Sequence, residues 1–367
     1  MQLIVNQNDD VPVYLQIYRE LRNKIISGAF PEGTKLPSKR TLAADCGVSV
    51  ATIEHAYSVL CDEDYCRTRE RSGCYVIYSP ENSFPTAEIQ TPKMNFSSET
   101  SGDSDTLIPF SVYAAGIRRV LSSMGENILR KSPSNGSTWL REAISRYLIR
   151  SRNITASPDQ IIIGSGAEYL YGICIQMLGR DRVIALEDPS YEKIRAVYTA
   201  NGAHCHMLKM DNEGICPDEL ERTNASVLHV TPFNSFPSGI TASANRRREY
   251  TAWAERRGAV IIEDDYDSEF ALTGTAPETL FSMSGGRNVI YVNTFSQTVA
   301  PSIRAGYMLL PLEYLPLYNE KAGFYTCTVP LLEQFFLADL LDSGGFERNI
   351  NRLRHQKKSV NQISKNG

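Results

Sequence analysis

Gln160-Ile161-Ile162-Ile163-Gly164-Ser165-Gly166-Ala167 is the stretch whose reading decides the fold. A short apolar run bounded by a glycine turn reads as a buried strand, and the small residues that follow it open a helix. Such a turn offers backbone N–H groups and a hydroxyl to a phosphate, although small residues also serve plain helix packing. An amphipathic helix at Leu140–Ser151 precedes it. Further apolar runs follow at Val183–Leu186, Val227–Val230, Ala259–Ile262 and Val289–Val292, with helical segments between them. Strands alternating with helices over more than half the chain predict an α/β domain with a largely parallel sheet. Ligands of such sheets sit outside the carboxyl ends of the strands. The segments just past those ends are Glu187-Asp188-Pro189-Ser190-Tyr191, Asn234-Ser235-Phe236-Pro237-Ser238-Gly239, Glu263-Asp264-Asp265-Tyr266 and Thr294 to Arg304.

Towards the N-terminus the pattern changes. Leu15, Tyr18, Leu21, Ile25 and Ile26 share one face of a helix over residues 13–27, which Gly28 stops. Pro31-Glu32-Gly33-Thr34-Lys35-Leu36-Pro37 is a stiff turn delivering Ser38 as the cap of a short helix. Gly47 ends that helix, and Ser49 caps another over Val50–Leu60. Helix, tight glycine turn and helix follow at helix-turn-helix spacing, and two β-prone stretches around Arg69-Glu70-Arg71-Ser72-Gly73 make a two-stranded wing. Between the two regions, residues 79–107 are rich in Ser, Thr, Pro and acids and read as a linker. The expected organisation is therefore 1–78, a linker at 79–107, and 108–367.

Composition narrows the function. A chain of 367 residues, 42% of them hydrophobic, has room for two domains. The net charge of −4 argues against bulk electrostatic binding to nucleic acid, and residues 1–78 hold 10 acids against 9 bases, so DNA affinity must come from a local basic face. The eight cysteines form no CxxC pair and the five histidines are scattered, so no metal site is expected. No run is long enough to cross a bilayer, and the cytoplasm is the default expectation.

Residues 11–78 resemble the GntR-type winged helix, through Leu36-Pro37-Ser38-x-Arg40-x-Leu42-Ala43 and Gly47-Val48-Ser49-x-x-Thr52-Ile53. The resemblance implies a double-stranded DNA operator contacted by Ser38, Arg40, Ser49 and Thr52 at the helix starts, and by Arg69, Arg71 and Gly73 in the wing. Val50 and Ala51 stand where that family often carries a basic residue. The second region resembles the fold-type-I aminotransferases that use pyridoxal 5'-phosphate (PLP), and the two together resemble the MocR/GabR-type regulators. By that resemblance Ser165, Gly166, Ala167, Ser296 and Arg304 hold the cofactor phosphate, with Thr294 nearby. Tyr191 stacks on the pyridine ring, Asp264 pairs with the ring nitrogen, and Tyr266 bonds the phenolic oxygen.

Gln297 stands where the resemblance leads one to expect the Schiff-base lysine. An amide is not nucleophilic enough to replace that amine, nor basic enough to move a proton as it does. The expectation is a non-enzymatic, homodimeric regulator, arranged head-to-tail, that holds PLP noncovalently or takes an amino-acid-like effector. The alternatives are an aminotransferase with an accessory DNA-binding domain, and a nonfunctional remnant. The family's pattern also continues beyond Gly367, so the C-terminal subdomain is expected to be incomplete.

Overall fold

The computed structural model describes residues 11–70, 72–79, 108–270 and 278–366, the last ten by their backbone alone. Arg71 and most of the predicted linker lie outside the described residues. The chain forms two compact units, residues 1–101 and 102–367.

The first unit packs three helices, Val13–Ile26, Lys39–Cys46 and Val50–Asp62, against a hairpin of β1 (Cys66–Arg69) and β2 (Gly73–Val76). Ile17, Leu21 and Ile25 meet Leu42, Ile53, Ala56 and Leu60 in its core, closed below by Cys66, Cys74 and Val76. The turn between the second and third helices is short because Gly47 adopts φ 66°, a left-handed conformation that a side chain would strain. The Tyr57 hydroxyl donates to the Pro37 carbonyl at 2.8 Å and fixes the stiff turn ahead of the second helix.

The second unit is built on an eight-stranded sheet. Its strands are β3 (Ile161–Gly164), β4 (Val183–Asp188), β5 (His204–Asp211), β6 (Gly214–Ile215), β7 (Val227–Val230), β8 (Val260–Asp264), β9 (Val289–Thr294) and β10 (Gly306–Leu309), in the spatial order β3-β10-β9-β8-β7-β4-β5-β6. From β9 through β8, β7 and β4 to β5 all pairings are parallel, while β10 runs antiparallel to both neighbours and β6 antiparallel to β5. The central strands are continuous apolar runs because helices cover both faces. Ile161, Ile163, Val289 and Tyr291 face one layer with Leu140, Tyr147 and Trp253, whereas Ile162, Ile290 and Val292 face the other with Leu170, Ile173 and Tyr198. Strands β5, β6 and β10 were not read from the sequence. β10 is four residues inserted between β3 and β9, and no alternation marks so short a buried run.

Candidate functional site

The carboxyl ends of the parallel strands converge on a cavity of about 400 Å³. Ala167, Tyr191, Asp264, Tyr266, Thr294, Ser296, Gln297 and Arg304, eight of the residues expected from the sequence, line it. Ser165 and Gly166 stand just ahead of Ala167, in the turn at the end of β3 rather than on the cavity wall. The helix Ala167–Leu178 begins on Gly166, so no side chain caps its first amides. Gly166 has φ 94°, and a Cβ there would stand 3.0 Å from the Arg304 guanidinium. That cradle suits an anion, and its left-handed φ favours glycine.

At the floor of the cavity lies Asp264, at the end of β8. The Tyr171 hydroxyl donates to its Oδ2, and the neutral His229 ring lies 4.0 Å away, held by Tyr198 at 2.6 Å. Burial lowers His229 to about 3, which keeps the imidazole uncharged. Asp264 Oδ1 is buried and has no hydrogen-bond partner among the described residues. Burial pushes this carboxyl up to about 7, against the opposing effect of the Tyr171 bond. A buried acceptor of this kind is stabilised by a ligand that brings an N–H.

The mouth is aromatic and charged. Tyr191 and Phe236, both exposed, meet edge to face with centroids 5.7 Å apart. Tyr266 donates to the Asn234 carbonyl at 3.1 Å. Arg304 donates to Glu168 at 2.9 Å, and the Lys193 ammonium lies 3.9 Å from the other oxygen of the same carboxylate. Gln297 is exposed on the wall, and among the described residues the one amine lining the cavity is that of Lys193.

Tyr171, Glu168 and Lys193 were missed from the sequence. Tyr171 lies four residues after Ala167 and so on the same helical face, the one signal that could have placed it.

The loop after β8 is held by buried charge. Arg152, at the end of the helix Thr138–Arg152, pairs with Asp265 at 3.1 Å and Glu269 at 3.4 Å, and Asn293 donates to Glu269 at 2.8 Å. Behind Tyr191, Glu187 accepts from Ser235 at 2.7 Å and from the Thr231 amide at 3.2 Å.

In the first unit, Ser38 and Ser49 cap their helices as read from the sequence, each accepting from the amide three residues on, Thr41 and Thr52, at 3.1 Å. Both serines and Arg40 are exposed, as is Arg69, whose guanidinium lies over the Tyr75 ring at 4.8 Å. Gly73 opens β2, where a Cβ would stand 2.9 Å from the Lys35 side chain. Among the described residues no helix is long and apolar enough to cross a membrane, and no His, Cys, Asp and Glu cluster could hold a metal.

Residues 13–76 match the family model for bacterial regulatory proteins of the gntR family, and residues 91–365 that for aminotransferase class I and II. The chain is similar to the uncharacterized HTH-type transcriptional regulator YdeL of Bacillus subtilis, at 33% identity over 95% of this chain and 78% of YdeL. It is 27% identical to the probable rhizopine catabolism regulatory protein MocR of Rhizobium meliloti, over 96% of this chain and 76% of that protein. It is likewise 27% identical to the HTH-type pyridoxine biosynthesis transcriptional regulator PdxR of Corynebacterium glutamicum, over 96% and 78%. Among solved structures, LysN, the α-aminoadipate aminotransferase of Thermus thermophilus complexed with N-(5'-phosphopyridoxyl)-L-leucine, superimposes with a TM-score of 0.61 at 25% identity. That match covers 68% of this chain and 64% of LysN.

Proposed function

The chain belongs to the helix-turn-helix transcriptional regulators that join a gntR-family domain to an aminotransferase class I and II domain, and on that premise we propose that its second unit is a noncovalent PLP sensor. The observation that carries the reading is the buried Oδ1 of Asp264, without a partner among the described residues, in a cavity whose other end is an uncapped helix start. A protonated pyridine nitrogen and a phosphate are what those two ends would take. When bound, PLP brings an aldehyde and an electron-withdrawing ring. The chain's own residues do the rest. Asp264 would accept from the ring nitrogen while Tyr171 holds its other oxygen, and Tyr191 would cover the ring face. Tyr266 would turn its hydroxyl from the Asn234 carbonyl to the phenolic oxygen. Ala167, Ser296 and Arg304 on the wall, with Ser165 and Gly166 in the turn behind them, would take the phosphate, beside Thr294.

Gln297 would offer the aldehyde only an amide, which neither attacks it nor shuttles a proton, so the site would hold its ligand without turning it over. Occupancy controls DNA binding only if PLP, or an amino-acid-like effector in the same cavity, binds two arrangements of the protein with different affinity. A head-to-tail homodimer acting on a DNA operator in the cytoplasm is the assembly the family resemblance supports. Ser38, Arg40, Ser49, Thr52, Arg69, Arg71 and Gly73 are the contacts assigned to the DNA. The similarity to PdxR, by its name a regulator of pyridoxine biosynthesis, supports a B6 vitamer as the effector.

The test is the absorbance spectrum of the protein with PLP before and after gel filtration, beside Gln297→Lys. The expected result is a free-aldehyde band with the unaltered chain and a shifted, borohydride-reducible band with the variant. Retention of PLP by neither protein overturns the sensor reading.

A further inference from the structure

Three thiols crowd one end of the winged-helix core. Cys61 lies in the last turn of the helix Val50–Asp62, Cys66 opens β1 and Cys74 sits in β2. Cys61 is half-buried and reachable from solvent, while Cys66 and Cys74 are buried at 2% and 6% exposure. The Cys61 and Cys74 sulfurs are 3.8 Å apart, and Cys61 also lies 3.7 Å from the Thr68 hydroxyl, whose residue pairs with Cys74 across the hairpin. Hydrogen bonding from Cys66 pulls the Cys74 thiol down to about 6 against burial, helped by Cys61, Thr68 and the Lys39 charge, while burial raises Cys61. The pair thus joins a half-buried, reachable sulfur to a buried one 3.8 Å away. That is the division of labour a thiol–disulfide site needs.

We propose that Cys61 and Cys74 form a reversible disulfide, a redox modification site inside the DNA-binding unit that couples the helix end to the wing. The co-reactant is a low-molecular-weight disulfide. Cys61 loses its proton and attacks one sulfur of that disulfide, forming a mixed disulfide and releasing one thiolate. The Cys74 thiolate then attacks the Cys61 sulfur, forming the internal bond and expelling the second thiolate. Two protein thiols are oxidised by two electrons, and one small disulfide is reduced to two thiols. Closing the sulfurs from 3.8 Å to about 2 Å draws β2 towards the helix. It also removes Cys74 from its contact with Cys66, at the base of the wing that carries Arg69 and Gly73.

The experiment treats the reduced full-length chain with oxidised glutathione, digests it without reductant and maps the linked peptides by mass spectrometry. Binding of a short mixed-sequence DNA duplex at low salt is measured in parallel. The expected results are a Cys61–Cys74 link reversed by dithiothreitol and a change in duplex affinity of about tenfold on oxidation. Cys61→Ser, nearly isosteric at a half-buried position, should keep the thermal transition and lose both effects. Glutathione stranded on Cys61, a link to Cys66 instead, or equal duplex affinity of the two forms would overturn the proposal. Failure of the reduced chain to bind the duplex would count against the DNA-binding reading, and the mapped link still decides whether the site exists.

Discussion

Glu168 is the residue that sets the terms on which a phosphate enters. Its carboxylate stands at the second position of the cradle helix and occupies Arg304 at 2.9 Å, with both partners about half exposed. An exposed ion pair of this kind is worth about 0–1 kcal/mol, so a dianionic phosphate displaces it readily. The carboxylate stays close to the phosphate afterwards, and that like charge weakens binding. Glu168→Gln is therefore expected to tighten PLP by about three- to tenfold, read by fluorescence titration. Pyridoxal, which lacks the phosphate, should show no gain. A gain shared by both ligands would sink the assignment of this end to phosphate.

At the scale of elements, the loop after β8 shows how the sheet positions chemistry. Asp264 ends the strand and Tyr266 lies two residues on, yet what orients both is the helix end at Arg152, far away in sequence, through Asp265 and Glu269. The Tyr291 hydroxyl donates to the same Asp265 oxygen from the neighbouring strand β9. Removing the guanidinium leaves two buried carboxyl groups without their cation, a loss of about 3–5 kcal/mol. Arg152→Ala should lower the chemical-denaturation midpoint of the second unit accordingly and abolish PLP retention. Unchanged denaturation would show that the carboxyl groups take up protons at no cost.

Over the whole molecule, buried ionisable groups set how stability responds to pH. Burial pushes Glu187 and Glu263 up to about 8 and Asp264 up to about 7. These carboxyls keep their protons longer when folded, so the stability they contribute is present below their unfolded values near 4 and is lost as pH rises to 7–8. His229 runs the other way: lowered to about 3, it contributes stability above about 6.5 that is lost as pH falls. Between pH 6.5 and 8.5 the carboxyls act alone and stability falls. The thermal midpoint of the second unit should drop by on the order of 10 °C over that interval, and Glu187→Gln should flatten the fall. A midpoint that rises instead would contradict the burial argument.

Local chemistry made much of this legible in the sequence. Ser38 and Ser49 read as caps because a hydroxyl ahead of a helix satisfies an orphan amide, and the apolar runs at 161–163, 183–186, 227–230 and 289–292 read as strands because both faces of a parallel sheet are buried. The turn at Gly164–Ala167 and the acidic end of β8 followed from the rule that ligands collect at strand ends. Only the tertiary structure inserted β10 between β3 and β9, brought Tyr171 under Asp264, set Glu168 on Arg304 and left one Asp264 oxygen without a partner among the described residues. It also gathered Cys61, Cys66 and Cys74, which no spacing rule pairs. Periodicity and capping depend on neighbours within a turn or a strand. Which side chains share a cavity, and at what charge, depends on burial and on partners distant in the chain.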